Sequence, residues 1–104
     1  MATASQRHPA VDLAERRLKA LARQHLPRAR IRLFGSRATG EARRRSDFDL
    51  AVELGPHGET ELWAFEEAIR NDSEIIYPVD VVDLAGATEA LREKIENEGV
   101  VWTS

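Results

Sequence analysis

Two aspartates one residue apart, Asp47 and Asp49, open the alternating run Asp47-Phe48-Asp49-Leu50-Ala51-Val52. In an extended strand, residues i and i+2 share a face, so the two carboxylates stand about 7 Å apart along one side. Like charges that close repel each other unless cations lie between them. Hard oxygen ligands of this kind suit Mg²⁺ or Mn²⁺, which take one or two protein carboxylates and fill the remaining positions with phosphate and water. A third carboxylate on a neighbouring strand would complete such a site. The segment Val79-Asp80-Val81-Val82-Asp83 offers Asp80 and Asp83. Three residues apart in a strand, they face opposite sides, so only one can join the pair.

Ten residues separate Asp47 from Gly35-Ser36, and Arg37 is the first of them. A glycine lets the backbone approach a phosphate closely, and the N–H groups of such a turn, with the Ser36 hydroxyl, can hold phosphate oxygens. Arg37 could pair with the same phosphates. The stretch is no P-loop, because the Lys-Ser/Thr ending is absent. Carboxylates for metal beside donors for phosphate describe phosphoryl or nucleotidyl transfer.

The elements that must position these groups follow from periodicity. Residues 1–10 read as a flexible start, and 11–104 as one domain. Val11, Ala14, Leu18, Leu21 and Ala22 recur at helical spacing from Val11 to His25, and Pro27 ends that helix. Ala29, Ile31 and Leu33 alternate with Arg30, Arg32 and Phe34, predicting a strand with one buried face. Ser36 is expected to cap a brief helical turn through Thr39. Asp47–Glu53 is the second strand, with Phe48, Leu50 and Val52 opposite the aspartates. Gly55–Gly58 is a turn, and a helix over Thr60–Asn71 turns Leu62, Phe65 and Ile69 inward. A third strand starts at Val79, since Pro78 cannot donate within a ladder. Thr88 caps a last helix through Glu98 with Gly99 as its C′ residue, and Val100–Trp102 can add an edge strand. The order α-β-(short α)-β-α-β-α-β predicts an α+β fold: a small mixed sheet with helices packed on it.

Composition narrows the functions. With 104 residues and 42% apolar content, the chain supports a thin core that gains from burying a face on a partner. There is no cysteine, which excludes disulfides, a thiol nucleophile and zinc–thiolate sites. No run approaches membrane-spanning length and the start lacks a signal-peptide core, so a soluble cytoplasmic protein is expected, with no membrane association. Residues 1–45 carry 12 Arg and Lys against 3 acids, whereas residues 46–104 carry 3 against 15. Such a split suits an anion drawn in by one half and held through metal on the other, or simply two solvated faces. Arg43-Arg44-Arg45 reads as a solvated loop that steers anions rather than a nucleic-acid patch. His8, His25 and His57 have no ligand spacing and read as surface residues. Trp63 reads as core or partner interface, and Trp102 as packing.

Gly-Ser, ten residues and Asp-x-Asp resemble the signature of the DNA polymerase β-type nucleotidyltransferases, here Gly35, Ser36, Asp47 and Asp49. The stretch "FGSRATGEARRRSDFDLAV", then "VDVVDL" and "LREKIENEGVVW", is similar to the minimal nucleotidyltransferase (MNT) branch, so the resemblance spans about residues 11–102. It implies the polymerase β-like fold, Mg²⁺ or Mn²⁺ held by Asp47, Asp49 and a third acid on a neighbouring strand, and ATP as substrate. By position that acid is Asp80, with Asp83 in reserve, while Gly35, Ser36 and Arg37 hold the nucleotide. Larger members carry a helical acceptor-holding domain. Minimal members are often encoded beside a HEPN-type helical protein, frequently a toxin ribonuclease, to which the transferase adds adenylyl groups as antitoxin. The expected partner is therefore a HEPN-like protein, with homodimer and hetero-oligomer both open. The alternative is a nucleotide-binding module that neutralises its toxin by contact. Direct nucleic-acid binding is not expected, because the acidic half repels phosphates where metal is absent.

Overall fold

A computed structural model of the chain describes residues 8–43 and 45–102. The elements are α1 (Pro9–His25), β1 (Arg30–Phe34), the single turn α2 (Ser36–Thr39), β2 (Phe48–Glu53) and α3 (Glu59–Arg70). Next come β3 (Val79–Asp83), a 3₁₀ turn (Leu84–Gly86), α4 (Glu89–Glu98) and β4 (Val100–Val101). The strands form one mixed sheet in the order β3-β2-β1-β4. β1 runs antiparallel to β2 and to β4, and β2 runs parallel to β3. This is the expected α+β architecture.

Alternation gives the sheet two different faces. Ile31, Leu33, Phe48, Leu50 and Val52 are buried in one cluster with Leu18 of α1 and with Phe65 and Ile69 of α3. Phe34, Ala51 and Ile95 form a smaller cluster on the other face, where α4 packs. Phe34 is therefore buried, although the pattern of β1 predicted a single buried face. The second helix layer covers it. No polar or charged residue is buried among the described residues.

Helix ends depart from expectation in instructive ways. α1 begins two residues earlier than its apolar stripe suggests. Pro9 takes the first helical position, and His8 Nδ1 accepts a hydrogen bond from Ala10 N at 3.0 Å. Of the residues expected to form a flexible start, 1–7 lie outside the described residues. Gly99 follows α4 with extended angles (φ −72°, ψ 143°) rather than the left-handed conformation of a glycine C′ residue. It is needed for space, because a Cβ there would collide with the Ile95 carbonyl oxygen. Thr88 caps α4 as expected, accepting from Leu91 N at 3.2 Å.

Two polar ties close the frame. Arg17 Nε donates to Asp72 Oδ2 at 2.8 Å, stapling α1 to the connection between α3 and β3. Trp102 N donates to Ile31 O at 2.8 Å, so the β4 pairing extends one residue past its assigned end. Trp102 packs against the core with Lys19 Nζ 5.2 Å from its ring centre, whereas Trp63 on α3 is 61% exposed. No helix among the described residues is long and apolar enough to cross a membrane.

Phe65 is fully buried between α3, α1 and the sheet, away from every candidate site residue. Phe65→Ala should cost about 3–5 kcal/mol, a large part of the roughly 5–15 kcal/mol available to a domain. Urea unfolding followed by circular dichroism measures this as a lower midpoint.

Candidate active site

Strand register brings the acidic residues together. The parallel pairing of β2 with β3 sets Asp49 beside Asp80, and the antiparallel pairing of β1 with β2 sets Phe34 beside Asp49. Paired residues share a face, so Asp49 and Asp80 stand side by side where α4 leaves the sheet uncovered. Asp47 precedes β2 on the same alternation and is exposed, as is Asp80, while Asp49 is half-buried. Asp83 pairs with Val52, on the opposite alternation. Its carboxylate is turned to local use, accepting from Ala85 N at 2.9 Å to cap the 3₁₀ turn.

The Gly35-Ser36 turn lies against this end of the sheet. Gly35 has φ 75° and ψ −160°, a region that only glycine occupies without strain. A Cβ at this position would be driven into Asp49 Oδ2. Glycine is required here twice, once for conformation and once for the close approach of the carboxylate. Gly35, not Ser36, is the N-cap of α2. Ser36 enters the helical turn as its first residue, so its hydroxyl is not consumed in capping.

Arg37, expected from its position to pair with phosphate, reaches the loop before β2 in this structure. Its Nη2 and Nε donate to the Ser46 carbonyl at 2.6 and 3.0 Å. The guanidinium carbon lies 4.6 Å from the Phe48 ring centre and 4.9 Å from that of Tyr77. Those rings meet edge to face at 5.9 Å. A fork fixed on the residue before Asp47 and stacked on two aromatic faces braces the approach to the aspartates. A depression of about 620 Å³, lined by Arg45, Ile76, Tyr77 and Pro78, adjoins this brace.

Electrostatics show how the acids crowd one another. The Asp49 pKa is raised by partial burial first, then by the charges of Asp80 and Asp47, with Glu98 adding to them and Lys94 opposing. Among the described residues no three acidic or histidine side chains converge into a ready-made metal cage. An open set of this kind still fits Mg²⁺ or Mn²⁺, which keep several waters and take phosphate oxygens as ligands. A cation would also relieve the repulsion around Asp49. Glu98 and Lys94, both on α4, were missed by sequence reasoning. The signal lay in register: pairing Val100 with Leu33 brings the residue before Gly99 opposite Gly35.

A mixed sheet of this order, with two acids side by side and a Gly-Ser turn against them, defines a nucleotidyl-transfer scaffold. Residues 16–104 match the family model described as polymerase beta, nucleotidyltransferase, and the chain belongs to that family. Among solved structures it is similar to a toxin–antitoxin with AMP-PNP, at 29% identity and a TM-score of 0.68, covering 85% of this chain and 71% of the other. It is similar to the MNT antitoxin complex with the tri-AMPylated HEPN toxin of Shewanella oneidensis, at 26% identity and a TM-score of 0.61. That match covers 88% of this chain and 70% of the other. A third similar structure, described as a minimal nucleotidyltransferase, gives 28% identity and a TM-score of 0.67 over 89% of this chain and 95% of the other. No curated protein gives a significant match.

A raised carboxylate pKa means that the fold disfavours the charged form of Asp49. The contribution to stability is therefore fullest below the ordinary aspartate range and is lost as pH rises through the folded pKa. At neutral pH without divalent metal, Asp49→Asn should resist urea better than the wild type. The advantage should shrink as pH falls below the ordinary aspartate value. Paired urea titrations across pH 3 to 7 measure both the sign and the window.

Proposed function

We propose that this chain transfers AMP from ATP to a hydroxyl, and that the hydroxyl belongs to a HEPN-type partner protein that the chain neutralises. The observation that carries the reading is Asp49 lying against Gly35 while Asp80 stands beside it in the parallel register. Carboxylates for a divalent cation and a backbone turn for phosphate thus adjoin on one exposed sheet end. The likeness to a toxin–antitoxin with AMP-PNP and to an AMPylated HEPN toxin with its MNT antitoxin supports the choice of nucleotide and of partner class.

Asp47, Asp49 and Asp80 would hold Mg²⁺ or Mn²⁺, which would neutralise charge on the triphosphate. Ser36, through its hydroxyl and the N–H groups of its turn, would grip the phosphates farther from the ribose. The acceptor oxygen forms a bond to the α-phosphorus, the bond to the bridging oxygen breaks, and pyrophosphate leaves with the electron pair. The hydroxyl proton passes to a carboxylate of the site, for which Asp80, exposed on β3, is the candidate. Arg37 keeps the strand entry of Asp47 fixed while this happens.

A second reading, neutralisation by contact, is favoured by Trp63. An aromatic side chain 61% exposed on α3 is the sort of anchor that protein interfaces bury. Contact through α3, on one side of the sheet, and transfer at the acids, on the other, are compatible in one chain.

Incubating the chain with α-labelled ATP, Mg²⁺ and the HEPN-type partner that this reading requires should label that partner. Asp80→Asn should lower labelling by at least about 100-fold, the usual scale for a lost acid–base or charge-stabilising group. Asp83→Asn should keep transfer within a few-fold, since its carboxylate caps a 3₁₀ turn. Full labelling by Asp80→Asn, or its loss only in Asp83→Asn, reverses the assignment.

A further inference from the structure

Helix α4 ends on the phosphate-side turn. β4 pairs Val100 with Leu33 and Val101 with Arg32, and continuing that antiparallel register by two residues sets Glu98 opposite Gly35. A side chain completes the pairing: Glu98 Oε1 accepts a hydrogen bond from Gly35 N at 2.9 Å. The bond is partly buried, and the chain on either side of it is closely constrained. On one side Gly99 turns the chain at once into β4. On the other, Gly35 is pressed against Asp49. A carboxylate next to another acid is electrostatically unfavourable, so its place here needs a compensating interaction. A charge-assisted bond to a fixed N–H supplies one.

We propose that Glu98 is the positioning residue of the nucleotide site: by holding the Gly35 N–H it fixes the glycine-only conformation that delivers Ser36 to the sheet end where Asp49 and Asp80 stand. The inference rests on the nucleotidyltransferase reading above and adds a residue that acts through Gly35 without touching substrate. It makes the last turn of α4 a third wall of the site, with Lys94 one helical turn back on the same stripe. The opposite assignment gives Glu98 the part of an anionic plug, competing with phosphate for the same N–H. The two differ in sign.

Two readouts on the full chain separate them: hydrogen exchange of the Gly35 amide by NMR, and Mg²⁺–ATP binding by calorimetry. In Glu98→Ala, Gly35 exchange should accelerate and the ATP Kd should rise, each by about tenfold, as expected for losing one hydrogen bond to a charged acceptor. Glu98→Gln keeps an acceptor oxygen at the same reach and should restore most of both. Glu98→Asp is one methylene short and should behave like Glu98→Ala in ATP binding while unfolding near the wild-type temperature. ATP binding by Glu98→Ala or Glu98→Asp that equals or exceeds the wild type overturns the proposal, and tighter binding establishes the plug. Should Glu98→Ala not fold, the Asp and Gln pair decides by the same two outcomes. A wild type that protects Gly35 yet binds no ATP overturns the nucleotide reading and the proposal with it, while leaving the hydrogen bond in place.

Discussion

Charge crowding at one end of the sheet is the constraint around which the rest of the chain is arranged. The Asp49 pKa is raised by burial and by the neighbouring charges of Asp80 and Asp47. A domain with a thin core holds such a group only if its stability is secured elsewhere. The secured side is the opposite sheet face, where Phe48, Leu50 and Val52 lock against α1 and α3. Strand alternation makes this division automatic: each residue that anchors β2 in the core places its neighbour on the functional face. Local cost at the site and stability beneath it are thus parts of one strand.

Rigidity around the acids comes from hydrogen bonds and packing at their neighbours. Arg37 ties the Ser46 carbonyl and stacks on Phe48 and Tyr77, so the entry to β2 cannot drift. Glu98 fixes the Gly35 amide from the far end of α4. α4 itself is seated by Ile95 against Phe34 and Ala51, which stops it short of Asp49 and Asp80. Site geometry is therefore set by three elements distant in sequence: the β1–α2 turn, the β2 entry and the end of α4. The acids stand where the covering helix ends, and Asp47 and Asp80 are exposed there.

Most of the fold was legible because its signals are local. Helical stripes, strict alternation in β2 and the Pro and Gly breaks placed every α-helix and β-strand within a few residues of its bounds, while the 3₁₀ turn after β3 went unannounced. The opposite parity of Asp80 and Asp83 is also legible, since alternation within a strand follows from sequence, whereas the partner that each meets on β2 comes from the fold. What stayed hidden depends on tertiary contact. Phe34 looked solvent-facing until α4 covered it. The tie from Arg37 to the Ser46 carbonyl was hidden because sequence does not show which backbone a folded loop brings back. The N-cap moved from Ser36 to Gly35 because the close approach of Asp49 dictates the turn's backbone. Glu98 was invisible because its role needs the β1–β4 register, which a two-residue strand does not announce.

Paramagnetic broadening by Mn²⁺ with ATP tests most directly whether the acidic sheet end and the Gly35-Ser36 turn act as one site. Substoichiometric Mn²⁺ added to the labelled chain with ATP should erase the amide signals of Gly35, Ser36, Asp49 and Asp80 first. Signals of α1 and of the loop around His57 should persist. Broadening centred on the cavity beneath α4, near Arg32, His57 and Arg92, would contradict the account, as would broadening spread evenly over the acidic half.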